Sequence, residues 1–246
     1  MTAKEPVLEV RNVSKYFGGL AALSDVTFKY YGGIMGIIGP NGAGKTTLFN
    51  VISGVYKPTK GKIVFLGRDI TGLPPHKIAR IGISRTFQIP RPFTKETVRE
   101  NVMVAAIYGR EESIDLKEAY DEALEILDFV GLAEKADVPA SALNIVERKL
   151  LGLARALATK PKLILLDEIA AGLTPGEVDD LINLVQEINK KGINIIWIEH
   201  VMRAIMKASE RVIVLDFGKL IADGTPREVA SDPKVIKAYL GEEHVA

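Results

Sequence analysis

"GIMGIIGPNGAGKTTLFNVISGV", residues 33–55, joins three different patterns in one short stretch. Gly33–Gly39 is an apolar run of strand length. Residues 39–46 fit the spacing G-x-x-x-x-G-K-T, and the segment after them has helical character. A strand that feeds a glycine-rich loop and then a helix is the context this spacing requires. Glycine lets the backbone curl so that successive N–H groups point inward, and inward-pointing N–H groups at a helix start bind phosphate oxygens. The candidate nucleotide-binding segment is therefore Gly39, Pro40, Asn41, Gly42, Ala43, Gly44, Lys45, Thr46 and Thr47. Lys45 supplies a positive charge to the β- and γ-phosphates, and Thr46 offers a hydroxyl to Mg²⁺. ATP with Mg²⁺ is the ligand pair this pattern implies.

Three further apolar runs share the length of the first: "KLILLDE" (Lys162 to Glu168), "INIIWIEH" (Ile193 to His200) and "RVIVLDFG" (Arg211 to Gly218). Helical patterns separate them, as expected for strands buried on both faces of a mostly parallel sheet. In such sheets ligands bind beyond the C-terminal ends of the strands, where two of these runs end in Asp167-Glu168 and Glu199-His200. Asp167 is positioned to reach a Mg²⁺ ion beside the phosphate loop, and Glu168 to orient or deprotonate an attacking water. Both would otherwise simply cap a strand end. His200 closes its run on the same edge, where a catalytic role competes with an ordinary structural one.

Outside this core the pattern changes twice. "VLEVRNVSKYF" begins with apolar–polar alternation and "GKIVFLGRDI" repeats it, which suggests an N-terminal antiparallel β layer. Between Arg91 and Thr159 helical spacing takes over, with Leu116, Tyr120, Ala123, Leu127 and Val130 on one face. "LTPGEVDDLINLVQEI" starts a helix with Thr174 as N-cap, Pro175 at the first helical position and Glu177 closing a capping box. The expected organisation is one domain over 1–246, of α/β class. A helical subdomain at about 91–159 is inserted into a core made of 1–90 and 160–246. The 246 residues include 47% apolar residues, ample for a buried core. Thirty-two Lys and Arg face 31 Asp and Glu, a formal charge of +1 that gives no support to a nucleic-acid partner or a polybasic membrane anchor. With no cysteine, disulfides and thiolate metal sites are excluded. No apolar run approaches the ~18 residues of a membrane span and "MTAKEPVLEV" lacks a signal core, so any membrane role is expected to be peripheral.

Taken in order, "GPNGAGKTT", Gln88 in "SRTFQIP", "LILLDE", "AGLTP" and "IEH" resemble the phosphate loop, Q-loop, second acidic motif, D-loop and H-loop of ABC transporter ATPase subunits. The resemblance covers essentially the whole chain and implies a P-loop NTPase core. It also implies that Phe17 stacks on adenine, that Gln88 links the Mg²⁺ site to the helical subdomain, and that His200 contacts the γ-phosphate. Alone, Gln88 reads as a polar loop residue, and ordinary core is the alternative for Phe17. "RTFQIPRPFTKETVRENVMVA" and the tail "GKLIADGTPREVASDPKVIKAYLGEE" are similar to ATPase subunits of branched-chain amino acid importers. The partners so implied are a second ABC ATPase subunit and transmembrane permease subunits, with the chain on the cytoplasmic face of the membrane. The rival classes are a soluble ABC ATPase acting on nucleic acid or ribosomes and a catalytically silent nucleotide-binding subunit.

One segment departs from the family. Where the signature normally reads close to L-S-G-G-Q and faces the ATP of the opposite subunit, this chain has Leu143, Asn144, Ile145, Val146 and Glu147. Asn144 and Glu147 make a sound helix start. Val146, however, puts a branched Cβ where close backbone approach is expected. Glu147 puts a carboxylate near phosphate, a repulsion of about 3 kcal/mol per unit charge at roughly 5 Å and an effective dielectric near 20. Gly152 lies inside the same helix and is expected to weaken it by roughly 1 kcal/mol relative to alanine. Since the signature serves the partner's nucleotide, the pattern favours a heterodimer with one sound half-site and one poor one.

Overall fold

The computed structural model describes residues 5–240; the last three residues of the tail segment, 241–243, lie outside them. In chain order the first elements are β1 (Leu8–Phe17), β2 (Leu20–Tyr30), β3 (Ile34–Ile38), α1 (Lys45–Ile52), β4 (Lys60–Phe65), β5 (Arg68–Asp69), α2 (Pro75–Arg80) and β6 (Ile83–Arg85). Three α-helices come next, α3 (Val98–Tyr108), α4 (Leu116–Phe129) and α5 (Ile145–Ala158), with short 3-10 turns between α4 and α5. The chain then runs through β7 (Leu163–Asp167), α6 (Pro175–Lys190), β8 (Asn194–Ile198), α7 (Met202–Ala208), β9 (Arg211–Asp216), β10 (Lys219–Gly224), α8 (Pro226–Ser231) and α9 (Pro233–Leu240).

Two sheets result. The alternating segments pair antiparallel in the order β2-β1-β4-β5, with Leu8 opposite Tyr30 and Val10 opposite Phe28. The continuous apolar runs form the second sheet, ordered β10-β9-β3-β8-β7-β6, in which only the β10–β9 pair is antiparallel. Each central run is buried on both faces because its residues alternate between two cores. Leu163 and Leu165 face the antiparallel sheet and α1, while Ile164 and Leu166 face the helices. A strand with apolar residues at every position is stable only when covered on both sides, and here the sheet and the helices cover it.

The register decides where function sits. Ile37 of β3 pairs with Ile198 of β8, Asp167 of β7 pairs with the same Ile198, and Arg85 of β6 pairs with Leu165. The C-terminal ends of β3, β6, β7 and β8 therefore fall on one edge, which brings the loops after them together.

α4 corrects one expectation. Its buried face is Ala119, Ala123 and Leu127, whereas Leu116 and Tyr120 are exposed. Leu116 is the first helical residue, one position after the Asp115 cap, and is left facing solvent. Tyr120 instead lies under the Arg99 guanidinium, 4.4 Å from ring centroid to Cζ.

α5 runs unbroken through Gly152, even though glycine is a weak helix former. A Cβ added there would meet only the Pro90 Cβ, at 3.9 Å. Gly152→Ala is therefore expected to stabilise the fold by about 1 kcal/mol. The urea midpoint should rise with an unchanged slope; a lower midpoint would mean that α5 needs glycine for close packing.

Candidate nucleotide site

The loop between β3 and α1 has the backbone its glycines were expected to supply. Gly39, Gly42 and Gly44 adopt φ of +149°, +80° and +100°. A Cβ on Gly39 would lie 2.0 Å from the Leu215 carbonyl oxygen, and one on Gly44 would lie 2.5 Å from that of Ala22. Side chains are thus barred by both conformation and space. α1 starts at Gly44 with no side-chain cap and no acidic residue in its first turn, so its leading N–H groups are left for an anion. Lys45 is buried, and its Nζ donates to the carbonyls of Gly39 (2.6 Å) and Pro40 (2.9 Å). The lysine charge thus lies inside the curl of the loop. Burial lowers its proton affinity, and the nearby Glu168 and Asp167 oppose that shift. Thr46 is exposed in the first turn and Thr47 is half-buried.

The acidic pair divides its partners. Asp167, at the end of β7, is buried and accepts from Arg85 Nη2 through Oδ2 at 2.7 Å. The other arm of Arg85 donates to Asn50 Oδ1 (2.6 Å) and Ser53 Oγ (3.2 Å) on and after α1. One guanidinium therefore joins β6, β7 and the helix that leaves the phosphate loop. Glu168 adopts φ +49°, unusual for a residue with a Cβ, and its carboxylate is held from both sides. His200 Nε2 lies 2.8 Å from Oε1, and Gln88 Nε2 donates to Oε2 at 2.5 Å. Loops after β6, β7 and β8 thus meet at one carboxylate. An oriented, half-buried carboxylate at this edge has the placement a general base needs.

Among the described residues, no three His, Cys, Asp or Glu side chains form a ready-made metal cage. The donors expected from the sequence, Thr46, Gln88 and Asp167, are all oxygen-bearing and few. They suit Mg²⁺, which keeps most of its shell as water and phosphate oxygen.

The remaining predicted residues lie further out. Phe17 ends β1, half exposed, with its ring edge-on to Tyr56 at 5.2 Å and Lys15 Nζ 5.0 Å from its centroid. Its remaining surface is exposed to solvent. Asn144 caps α5 by accepting from Glu147 N, and the Glu147 carboxylate turns back to accept from Asn144 N at 2.9 Å. Lys135 Nζ approaches the other oxygen of Glu147 at 3.7 Å. The carboxylate is thus partly neutralised, which reduces the phosphate repulsion expected from its sequence position. Ile145 projects into solvent and Val146 lines an apolar cleft beside Ile169 and Leu150.

Sequence reasoning missed three charged residues that organise this region: Arg85, Lys149 and Glu199. Arg85 lies in the Gln88 segment and Glu199 in the His200 segment, and a charge at the end of an apolar strand was the available signal. Lys149 carried none, because lysine on a helix usually faces water.

Comparisons with known proteins show the family of the whole chain. The ABC transporter family profile matches residues 23–171, and that of the branched-chain amino acid ATP-binding cassette transporters matches residues 219–245. The chain is 41% identical over 251 residues to the high-affinity branched-chain amino acid transport ATP-binding protein BraF of Pseudomonas aeruginosa, covering 96% of this chain and 98% of that one. Against LivG of Escherichia coli, a protein of the same description, identity is 40% over 252 residues, covering 97% and 99%. The crystal structure of an ATP-binding cassette of an ABC transporter in its ADP conformation superposes with a TM-score of 0.88 at 36% identity, covering 97% of this chain and all of that one.

The Arg85–Asp167 pair is buried on both sides, whereas Lys190–Glu187 on α6 is exposed on both. Removing one partner of a buried pair leaves a charge without compensation, at a cost of about 3 kcal/mol or more, while an exposed pair contributes less than about 1 kcal/mol. Arg85→Met should therefore lower the urea midpoint sharply and Lys190→Met hardly at all. Equal effects would mean that Arg85 is not acting as a buried counter-charge.

Proposed function

We infer the function from one premise: the chain belongs to the ABC transporter family, as an ATP-binding subunit akin to those of branched-chain amino acid importers. It is an ATPase, and its ATP hydrolysis powers an importer. The cargo we propose is branched-chain or related amino acids. The observation that carries the catalytic reading is the Glu168 carboxylate held between Gln88 and His200 beside the loop that buries Lys45.

In the proposed mechanism the N–H groups of residues 41–47 and Lys45 take the phosphates, with Lys45 exchanging its two loop carbonyls for phosphate oxygens. Phe17 offers its exposed surface to the adenine. Thr46, Asp167 and Gln88 would hold Mg²⁺, which supplies charge neutralisation at the phosphates. Glu168 orients the attacking water and accepts its proton, with Gln88 and His200 fixing its two oxygens, while His200 also lies within reach of the γ-phosphate. The in-line attack gives ADP and phosphate.

Residues 91–159 are proposed to work as a helical subdomain that moves with a permease subunit. Exposed Phe87, Ile89 and Phe93 around "IPRPFTKET" support an apolar partner at its entrance. No helix among the described residues is long and apolar enough to cross a membrane. The proposed location is accordingly peripheral, on the cytoplasmic face, bound through permease subunits. A second ATPase subunit completes the assembly, and Asn144–Glu147 favour a heterodimer in which the partner provides the intact signature.

Three experiments test this reading. Lys45→Ala should weaken ATP binding by calorimetry, and Glu168→Gln should keep binding while cutting turnover roughly a hundredfold, the range for losing a general base. Single-turnover hydrolysis by the glutamine variant at the wild-type rate would refute the role of Glu168. Restoring the family pattern by Asn144→Ser, Ile145→Gly, Val146→Gly and Glu147→Gln should raise ATP-dependent homodimerisation in light scattering and basal phosphate release. Strong dimerisation and fast turnover by the unmodified chain alone would contradict the heterodimer.

A further inference from the structure

Two buried charges lie just behind the Glu168–His200 pair and play no part in ATP hydrolysis as proposed for Glu168. Lys149 projects from α5 into the core, and its Nζ donates to the Ala171 carbonyl. Glu199, almost wholly buried at the end of β8, accepts from Ala170 N at 2.5 Å and from Trp197 Nε1 at 3.3 Å through Oε1. Its other oxygen accepts from His200 N (3.1 Å) and Val201 N (3.4 Å). The Ala170–Ala171 dipeptide is thus gripped at its first N–H by the anion and at its last carbonyl by the cation. It begins two residues after Glu168, whose positive φ persists only where neighbouring backbone is firmly held.

This arrangement is specific in its chemistry. A buried carboxylate with four N–H donors is satisfied without a metal or a water. Burial lowers the proton affinity of the Lys149 ammonium and raises that of the Glu199 carboxyl, and the fields of Glu199 and Glu168 oppose the shift at Lys149. Both charges are costly to bury, and they meet where three parts join: α5, the loop after Glu168, and the backbone of His200.

We propose that Lys149 and Glu199 are positioning residues that tie helix α5 to the Glu168–His200 pair, so that a shift of α5 moves the carboxylate and imidazole together. The proposal rests on the functional reading of Glu168 and His200. Lys149 fixes the Ala171 carbonyl relative to α5. Glu199 transfers that constraint to Ala170, one residue beyond Ile169, and directly to the His200 N–H. With Lys149 gone, Glu168 and His200 keep their side chains but lose their common anchor. Hydrolysis should then suffer more than binding, because the phosphate loop is built from other elements.

The chain's single tryptophan makes the test direct, since Trp197 donates to Glu199. Lys149→Met is expected to bind ATP within twofold of wild type, to hydrolyse bound ATP at least tenfold more slowly in single turnover, and to shift Trp197 emission without nucleotide. Lys149→Arg, which keeps the cation, should recover most of the rate and the wild-type spectrum. Should Lys149→Met fail to fold, Glu199→Gln is read in its place. It keeps the shape but turns an NH₂ toward the His200 and Val201 N–H groups, and the same split between binding and rate is expected. A wild-type rate in either folded variant, or a parallel loss of binding and rate, would overturn the proposal. So would an unchanged Trp197 spectrum in Lys149→Met. The emission arm needs no turnover, so a wild-type chain that binds but does not hydrolyse ATP would refute the functional reading while leaving the Lys149–Glu199 link decided by the spectrum.

Discussion

Parallel pairing of β3, β8, β7 and β6 obliges the chain to leave all four strands at the same edge of the sheet. Gly39, Gln88, Glu168 and His200 are far apart in sequence and become neighbours only because of that constraint. Had Asp167 paired one residue out of step with Ile198, its side chain would point into the opposite core and Glu168 would lose its place between Gln88 and His200. The apolar residues at every position of β7 and β8 hold the register by filling both cores at once.

Electrostatics at this edge are governed by crowding. Asp167 and Glu168 are adjacent and Glu199 follows Ile198, the residue paired with Asp167, so three carboxylates share one edge and like charges repel there. Each has its own donors: a guanidinium for Asp167, an imidazole and an amide for Glu168, and four N–H groups for Glu199. The partners come from different elements, so satisfying the carboxylates also fastens β6, α1, β7 and β8 together. Stability and the geometry of the site are therefore the same set of contacts.

Much of this is legible in the sequence. Glycine spacing after a buried run locates the phosphate loop, and the apolar runs ending in Asp167-Glu168 and His200 locate the edge. The capping boxes at Thr174 and Asn144 stand as the sequence implies, because N-cap chemistry is local. What cannot be read depends on long-range partners. Nothing local says that Arg85 turns toward Asn50 and Asp167, or that Lys149 points inward from an otherwise amphipathic helix. The stripe on α4 slips for a similar reason, since Ala119 and Leu116 differ only in which one faces the neighbouring helices. In sequence Glu147 is a bare charge, and its return to the Asn144 N–H and Lys135 changes that.

The curl of residues 39–47, with Lys45 folded onto its carbonyls, is proposed to be a phosphate cradle. Titration of ¹⁵N-labelled protein with ATP, followed by NMR at the backbone amides and the Lys45 ammonium, distinguishes a cradle from an ordinary turn. The amides of Gly39, Gly42 and Gly44 should show the largest shifts, together with a change at Lys45 Nζ as it leaves the Gly39 and Pro40 oxygens. Saturable ATP binding that leaves those signals in place would contradict it.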